Sequence, residues 1–541
     1  MDKDTNNTMK QCLTKKENPI KSNLMSLPNE LLEFILIYLS SYNMIESFYG
    51  LNKRLNFLIN QFSCKIDVTK KKKQWIKKSL SLIEPLITNI KFNHSQLQIL
   101  FPTKSTILNQ YPYLKSIIWN YRFASNSNNH LSESYLNIFK TKCKSLILNL
   151  DTDDINDDYM TLNHNIALLL LFQNDSIIEK LILKDISDLS ILWFSFKPSV
   201  LIMNEYLKEL TIKLHYIHDL FILIEYLPKL EYLNVEVCEL DKNDKYDYKN
   251  IQNKKNKLSS SLKYLIINSL DFSYNRLLLF IEPFQKSLQY LTLNMSIDEQ
   301  INGKILESTI LSQIPNLKEF KFIFQISSYK QNIDINNGLD KLISTFHSTS
   351  YWSNHPVMCY HDRSIPCFTI VSLPWILKEK DTITDEILCY RTNLTIPLQI
   401  NNIKSIFLAS TPITLKFLKF IKETFPKLNQ MIISWHTCSV EPEIFQRRNR
   451  IILNTIKTLK YYGSTDDLEY IDFLLLTPNI RCLIVDGITI HVINSYIHEN
   501  QQIALICEQI SDLNIFREYE YCDEDETKET FPNALITSKE I

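Results

Sequence analysis

The residues in this sequence that most suggest chemistry are two histidines and two cysteines: His355, Cys359, His361 and Cys367. Zinc is held by nitrogen and sulfur ligands of these types, and four of them complete a tetrahedral structural site. Such sites usually bring their ligands in closely spaced pairs, and the intervals here do not follow that pattern. We therefore expect these side chains to serve packing, with no metal bound.

An acidic run, Asp151–Asp158 (DTDDINDD), is the second candidate, for calcium. A helix–loop–helix calcium loop needs a glycine at its sixth position and a glutamate at its twelfth, and this run has neither. We expect a solvated acidic loop. His215 and His218 are expected to be surface or capping groups, and His436 and Cys438 have no third ligand that the sequence can place.

Glycine is scarce in the chain, which has five, all of them isolated. Loops that cradle phosphates need clustered glycines so that backbone N–H groups can approach the ligand. The P-loop and the dinucleotide-binding fingerprint are therefore excluded, and G-x-S-x-G and H-E-x-x-H are absent as well. No nucleophile–base constellation stands out. The sequence predicts a protein that is not an enzyme and needs no cofactor.

The bulk composition is that of an ordinary globular protein, with 541 residues, 45% hydrophobic and 22% charged. Because the formal net charge is −1, no global field attracts nucleic acid or an anionic membrane, and we expect neither as a partner. The strongest apolar run, Ile166–Phe172, is too short to cross a bilayer. Residues 1–24 are polar, lack the apolar core of a signal peptide and are predicted to be disordered.

The eleven cysteines are scattered along the chain and include no C-x-x-C pair. Disulfide frameworks and paired metal ligands both need recurrent spacings. We therefore expect reduced thiols and a cytoplasmic or nuclear location.

Three short amphipathic helices are predicted near the N-terminus. In the first, which Pro28 opens, apolar residues recur at the spacing of a helix: Leu31, Leu32, Ile35, Leu36 and Leu39. The Ser40-Ser41 pair offers an N-cap for the second helix, which would carry Met44, Ile45 and Phe48, and Gly50 lies at the joint with the third. Together these helices carry more apolar surface than three short helices can hide among themselves. They must pack on the rest of the chain or be covered by another protein.

The stretch LPNELLEFILIYLSSYNMIESFYGLNKRLNFLI (27–59) resembles an F-box, through its Leu27-Pro28-x-Glu30 entry, its apolar stripe and Arg54. Phe57-Leu58-Ile59 stands where that family often has a Trp. The resemblance implies an F-box-like helical module at 25–65 that binds the Skp adaptor of a cullin–RING ubiquitin ligase. It names five adaptor-facing candidates: Leu27, Pro28, Leu31, Ile35 and Leu39. The alternative is an amphipathic hairpin that packs on the neighbouring domain.

A lysine-rich stretch, Lys70–Lys78, holds six lysines in nine residues. It could be a nuclear import signal or a nucleic-acid patch. The interpretation we favour is a basic helical linker at 66–90, with Trp75, Ile76, Leu80 and Ile83 packing inward.

One motif, L-x-x-L-x-L, recurs along the remainder of the chain. The leading apolar positions of its copies from Ile178 to Leu317 lie 23 to 32 residues apart. The x-L-x-L part alternates like a strand that is buried on one face. Predicted helical stretches such as His218–Pro228 lie between copies of the motif. The motif occurs at 111–119, 143–150, 177–186, 206–214, 227–237, 261–270, 287–295, 314–324, 403–410, 425–434 and 477–487.

This pattern resembles the leucine-rich repeat in an irregular form. The resemblance implies an α/β solenoid over 91–516, with a parallel sheet on the concave side and helices outside. A conventional α/β domain is the alternative. An insertion at about 335–400 interrupts the repeats. It is predicted to contain a β-hairpin, because apolar and polar residues alternate around Val357–Tyr360 and Phe368–Val371. The acidic stretch 517–541 is predicted to be a disordered tail.

Together, the two resemblances imply a substrate-recognition adaptor with three partners: the Skp adaptor, the cullin scaffold and an unknown protein substrate. The alternative is a repeat scaffold without a ubiquitin role, whose N-terminal helices cap the repeats. In the adaptor interpretation the substrate contacts exposed strand positions of the repeats. The candidates among these positions are Glu209, Lys213, Tyr232, Asn234, Tyr264, Asn268, Tyr290, Asn294 and Lys321.

Three tyrosines share one strand position in successive repeats, Tyr232, Tyr264 and Tyr290. Neighbouring strands lie about 4.8 Å apart, so the three rings are predicted to stack into a stripe. Tyrosine is favoured at recognition surfaces. The alternative is a solvated aromatic ladder without a partner. Ile323, at another such strand position, is also predicted to be exposed.

Overall fold

The computed structural model divides into two compact units, Met1–Ile212 and Lys213–Ile541. Each unit is described by itself. The structure describes residues 27–39, 41–62, 65–80, 84, 87–103, 109–123, 129–152, 169–172, 175–185, 201–239, 261–269, 273–297, 299, 301–327, 335–347, 350–362, 367–374, 382–394, 397–408, 413–434, 451–462, 469–498, 500–516 and 524–539.

Several predictions from the sequence fall outside these ranges. They are the disorder of residues 1–24, most of the acidic loop (153–158), the inward packing of Ile83, the pair His436 and Cys438, and the start of the acidic tail at 517–523.

The first unit combines N-terminal helices with a parallel sheet. Its helices are α1 (Asn29–Ile37), α2 (Ser41–Phe48), α3 (Lys53–Phe62), α4 (Lys73–Ser79), α5 (Leu97–Leu100) and α6 (Asn129–Lys142). Its strands are β1 (Lys65–Asp67), β2 (Asn89–Asn93), β3 (Ser116–Phe123), β4 (Ser145–Thr152), β5 (Lys180–Asp185) and β6 (Glu209–Tyr216), which crosses the unit boundary.

The helices α1, α2 and α3 form where the apolar spacing predicts them. Gly50, at the joint between α2 and α3, has a φ of 88°, a conformation that side-chain-bearing residues rarely adopt. The Asn52 side chain then accepts a hydrogen bond from the Leu55 N–H at 2.8 Å and so caps α3. Leu32, Leu36 and their counterparts on α2 and α3 are buried.

Strands β1 to β6 pair in chain order, and every pairing is parallel. The prediction of repeated strands is confirmed for β3 to β6. β1 overlaps the start of the stretch predicted as a basic linker and pairs with β2. The helical part of that stretch, α4, buries Ile76, and Leu80 directly after it is also buried, as the pattern predicts. Most of the lysines face solvent.

The second unit contains two sheets. Its helices are α7 (Ile217–Tyr226), α8 (Tyr274–Ile281), α9 (Gly303–Leu306), α10 (Ile335–Ser344), α11 (Ser350–Asn354), α12 (Leu415–Thr424), α13 (Glu469–Leu476), α14 (Gly487–Ile497), α15 (Gln501–Glu508) and α16 (Glu524–Thr530). Its strands are β7 (Tyr232–Glu239), β8 (Tyr264–Ser269), β9 (Tyr290–Ile297), β10 (Glu319–Ser327), β11 (Val357–Asp362), β12 (Cys367–Ser372), β13 (Thr382–Ile383), β14 (Arg391–Thr392), β15 (Ser405–Leu408), β16 (Gln430–Ser434), β17 (Thr458–Tyr462), β18 (Cys482–Asp486), β19 (Asp512–Phe516) and β20 (Leu535–Lys539).

In the first of these sheets, β7, β8, β9 and β10 pair in parallel in chain order. Side chains alternate between buried and part-exposed along β9, which leaves one face of the sheet for the helices and the other open. The helix predicted at 218–228 is α7. The architecture is therefore α/β, with strand and helix repeating in the manner of leucine-rich repeats.

The predicted hairpin is present in the insertion, where β11 and β12 pair antiparallel. β12 also pairs antiparallel with β10, so the hairpin ends the parallel run. Beyond the hairpin, β14 pairs antiparallel with β11 as the edge of this sheet, and no described strand continues its parallel run. Instead β13 and β15 to β20 form a second, all-parallel sheet within the same unit. The sequence predicts one solenoid over 91–516 with an insertion at about 335–400, whereas the described repeat strands before and after the insertion belong to two different sheets.

The expectation of a disordered acidic tail is wrong for its described part. This part contains α16 and β20, and β20 pairs in parallel with β19, from Asp512↔Leu535 to Phe516↔Lys539. The acidic composition suggested disorder because it offers little apolar surface. A few apolar residues are enough here, since the neighbouring strand supplies the hydrogen-bond partners, while Phe531 is buried in the core of the unit.

Gly303→Ala is expected to lower the free energy of unfolding of the second unit by about 1–3 kcal/mol. A Cβ at this position would lie 2.6 Å from the carbonyl oxygen of Thr345, a backbone atom that cannot rotate away. Urea unfolding followed by circular dichroism measures the change. Lys304→Ala, at the exposed neighbouring position, is the control and should stay within about 0.5 kcal/mol. An unchanged midpoint for Gly303→Ala would contradict this close contact.

Candidate functional site

Helix α1 in the first unit presents large apolar side chains to solvent. Leu31, Phe34, Ile35 and Tyr38 are between 37% and 74% exposed, whereas Leu32 and Leu36 on the same helix are 2% exposed. Phe34 and Ile35 lie three and four residues after Leu31, and Tyr38 lies four and three residues after them, so the four residues share one side of the helix. We call these four residues the apolar helix face.

The apolar residues that the spacing places on one face of α1 therefore lie on two different surfaces of the helix. Leu32 and Leu36 point into the core of the helical module, while Leu31 and Ile35 point away from it. Of the other predicted adaptor-facing residues, Pro28 is exposed, and Leu27 and Leu39 are half-buried. The structure thus gives Leu31, Ile35 and Pro28 the accessibility that the prediction needs.

Arg54 on α3 secures the start of α1. Its Nε donates to the Asn29 side-chain oxygen at 2.6 Å, and its Nη2 donates to the Leu27 carbonyl oxygen at 2.5 Å. A guanidinium can make both bonds at once because its donors form a rigid fork. These bonds hold the first turn of α1 on α3, which fixes the orientation of the apolar helix face.

Sequence reasoning missed two exposed residues of this module, Phe34 and Ile37, whose side chains are 58% and 62% exposed. Phe34 packs edge-on against Tyr38, with their ring centroids 5.2 Å apart. The four-residue interval between these aromatic residues was a usable signal. Leu51 and Phe57 are also largely exposed, so the excess of apolar surface extends beyond α1.

In the second unit, the predicted column of tyrosines is present. Tyr232 pairs in register with Tyr264, and Tyr264 with Tyr290. The rings of Tyr264 and Tyr290 stack with centroids 4.4 Å apart and an interplanar angle of 3°. The Tyr232 ring is tilted and lies 6.1 Å from that of Tyr264. We call these three residues the tyrosine ladder.

The tyrosine ladder carries three phenol hydroxyl groups. Desolvation and the neighbouring Tyr290 raise the pKa of the Tyr264 phenol. The Lys318 ammonium lies 5.9 Å from the centre of the Tyr290 ring, a cation–π arrangement. The ladder therefore offers hydroxyl donors and ring edges, while its stacked ring faces are largely covered by each other.

The charged positions predicted to bind substrate are engaged within the chain. Glu209 forms a salt bridge with Lys180, and Lys213 lies 3.8 Å from Glu236. The Lys321 ammonium lies 2.7 Å from a Glu319 carboxylate oxygen. A ligand that used these charges would have to compete with ion pairs already present.

Three predicted asparagines line one cavity on the open face of the first sheet of the second unit. This cavity has a volume of about 240 Å³. Its lining consists of Asn234, Asn268, Asn294, Thr292, Lys321, Ile266, Leu293 and Ile323. We call Asn234, Asn268 and Asn294 the amide cluster. The structure thus brings together four of the predicted substrate-binding residues in one small cavity.

Ile323, which the strand pattern predicted to be exposed, is 7% exposed. It pairs in register with Val371 of β12 and belongs to a core cluster that includes residues of the second sheet. The pattern was misleading because β10 borders the inserted hairpin, and residues from later in the chain cover that end of the sheet face.

A larger cavity, of about 680 Å³, lies at the start of β9 and β10, where its lining includes Tyr290 and Lys318. The inserted segment contributes Asn354, His355 and Pro356 to its wall. The His355 ring stacks on Tyr351 at 3.9 Å, and its Nδ1 lies 2.8 Å from the Tyr351 carbonyl oxygen.

Of the four residues considered for zinc, Cys359, His361 and Cys367 lie on the hairpin strands, and His355 precedes them. Cys359 lies on β11 opposite Ile370, whereas Cys367 starts β12. Burial raises the pKa of the Cys359 thiol to about 12, which makes it a poor metal ligand. Across the described ranges, no group of three or more His, Cys, Asp or Glu side chains is placed to hold a metal ion. Nor does any described helix have the length and apolarity to cross a membrane.

Comparisons with known proteins give little beyond this geometry. No family model matches the chain, and no curated protein matches it. Among solved structures, it is similar to a chain of the yeast Rad7–Elc1 complex, with 13% identity, 94% of this chain and 90% of that chain covered, and a TM-score of 0.25. A leucine-rich-repeat protein of Leptospira interrogans gives 12% identity, coverages of 79% and 91%, and a TM-score of 0.24. At such TM-scores neither likeness bears on function.

Proposed function

We propose that this protein is a substrate-recognition adaptor of a cullin–RING ubiquitin ligase. Its apolar helix face would bind a Skp adaptor, which in turn links it to the cullin scaffold. The open face of the repeat strands would hold the protein to be ubiquitinated, with the tyrosine ladder and the amide cluster among its contacts.

The observation that carries this proposal is the exposure of the apolar helix face. A short helix that turns Leu31, Phe34, Ile35 and Tyr38 to water loses the free energy that their burial would provide, about 1.5–3 kcal/mol for a fully buried side chain. Contiguous apolar surface of this kind marks sites of protein–protein contact. The resemblance of residues 27–59 to an F-box supplies the kind of partner.

In this role the chain would not catalyse a reaction itself. Tethering two proteins on one assembly raises the concentration of one near the other. The adaptor would place a lysine of the target close to a ubiquitin-conjugating enzyme, and catalysis follows from proximity and orientation.

Size-exclusion chromatography of the purified full chain with a purified Skp protein tests the proposal. We expect a stable complex that also recruits the N-terminal part of a cullin. If the chain is folded by circular dichroism and elutes apart from Skp at micromolar concentrations, the ligase role is wrong. The same result would favour the alternative of a repeat scaffold whose N-terminal helices serve as a cap.

A further inference from the structure

We propose that the amide cluster binds the main chain of an extended, uncharged segment of the target protein. This inference rests on the target-binding half of the proposed function and names the chemistry of that contact. Asparagine side chains carry one acceptor and two donors, which complement the C=O and N–H groups of a peptide.

The side-chain amides of the cluster are free to bind a ligand. In the described part of the chain, the side chains of Asn234, Asn268 and Asn294 make no hydrogen bond to another residue, and Asn268 and Asn294 are register neighbours on β8 and β9. Part-buried amides that lack partners lose the hydrogen bonds that water or a ligand would supply.

Three asparagines in the first unit provide a contrast with Asn268 and Asn294, the pair of the amide cluster that is in register; Asn234 pairs in register with Ile266. Asn93, Asn120 and Asn149 are also register neighbours on adjacent strands. There the Asn120 amide donates to Asn93, and the Asn149 amide donates to Asn120, both at 2.8 Å. The same side chains at the same strand spacing can therefore satisfy one another. In the amide cluster they do not, and they face a cavity instead.

The charges that line the cavity favour an uncharged ligand. The cation in the cavity wall, Lys321, is already neutralised by Glu319 at 2.7 Å. The remaining polar groups are amides and the Thr292 hydroxyl, so an anion such as a phosphate or a carboxylate would find no unpaired positive charge there. The lining is complementary to neutral donors and acceptors, which is what a peptide main chain offers.

The size of the cavity also fits part of an extended peptide. At about 240 Å³ the cavity is below the range of about 300–1,000 Å³ that holds small-molecule ligands. It is large enough for part of a ligand that continues along the open sheet face. Tyr290 and Asn294 point to the same side of β9 four residues apart, or about 13 Å along the strand. An extended segment of a few residues can therefore contact the amide cluster and the hydroxyls of the tyrosine ladder together.

A random library of 12-residue peptides displayed on phage, panned on the full chain, provides defined probes. The enriched peptides are then synthesised and their binding is measured by fluorescence anisotropy. We expect Asn268→Leu/Asn294→Leu to weaken binding at least tenfold. Replacing peptide bonds by esters at the contacting positions, which removes main-chain N–H donors, should also weaken it severalfold.

The matched control is Asn120→Leu/Asn149→Leu, which makes the same change in the self-bonded asparagines and should leave peptide binding as in the wild type. Asn294→Asp serves as a second test variant, because it keeps the side-chain shape while removing both N–H donors and adding a negative charge. A panel in which no peptide binds the wild type, or in which binders tolerate both cluster variants, overturns the inference. Skp binding is measured on each preparation, so a failure here is distinguishable from a failure of the adaptor role.

Discussion

Replacing Leu31 and Ile35 together by aspartate is expected to weaken binding of the Skp adaptor at least about a hundredfold. Central apolar side chains of an interface each contribute about 2 kcal/mol or more when they are hot spots, and a hundredfold change needs about 2.8 kcal/mol. Two carboxylates buried without partners add a further penalty. Isothermal titration calorimetry with purified Skp measures the affinity.

The fold should tolerate this change, because Leu31 is 50% exposed and Ile35 is 37% exposed in the chain alone. Surface substitutions of this kind usually alter stability by less than about 0.5 kcal/mol. Leu505→Asp is the matched control, since Leu505 on α15 is also an exposed leucine, at 58%, outside the helical module. Equal Skp affinity for the double variant and the control would exclude the apolar helix face as the docking surface.

Trp352→Ala is expected to lower the free energy of unfolding of the second unit by about 3–5 kcal/mol. Trp352 on α11 is 1% exposed and packs edge-on against Phe346 and Phe322, with ring centroids at 4.9 and 6.0 Å. Its Nε1 donates to the Gly303 carbonyl oxygen at 3.2 Å. It therefore ties the inserted segment to β10 and to the start of α9, and its loss leaves a large cavity between them.

Urea unfolding followed by far-UV circular dichroism measures this effect. Trp352→Phe is the informative comparison, because it keeps most of the aromatic contact and loses the hydrogen bond, for which we expect about 1–2 kcal/mol. Were the alanine and phenylalanine variants to unfold at the same urea concentration, ring packing would not be what holds the insertion in place.

Much of the repeat architecture was predictable from local pattern. Alternating burial along a strand depends only on which residues are apolar, and it places Tyr232, Tyr264 and Tyr290 at one position of successive repeats. Their stacking then follows from the parallel register. The hairpin of β11 and β12 was found for the same reason, because both strands alternate and a short connection joins them.

Other features were not predictable from local pattern. β17 and β20 are short, and their polar residues hide the alternation, so each depends on a neighbouring strand for its hydrogen bonds. The division into two sheets also escaped prediction. It arises because β12 occupies the edge of β10, and no pattern within either strand says which edge a hairpin will take.

The candidate site, too, has features that the sequence predicts and features that it does not. Sequence placed the tyrosines and asparagines on the open strand face, but it could not show that Asn268 and Asn294 line a cavity while Asn120 and Asn149 bond to each other. That difference depends on side-chain rotamers and on what surrounds each strand, and neither is encoded within a single repeat.

By itself, then, the sequence determined the helical module, the strand period of the repeats and the alignment of the tyrosine ladder, since each follows from spacing along the chain. Only the tertiary structure decided which apolar residues of α1 remain exposed, that Ile323 is covered, and where the sheet ends. Burial is a property of contacts between distant segments, and the periodicity of one segment constrains its own two faces without specifying what will cover them.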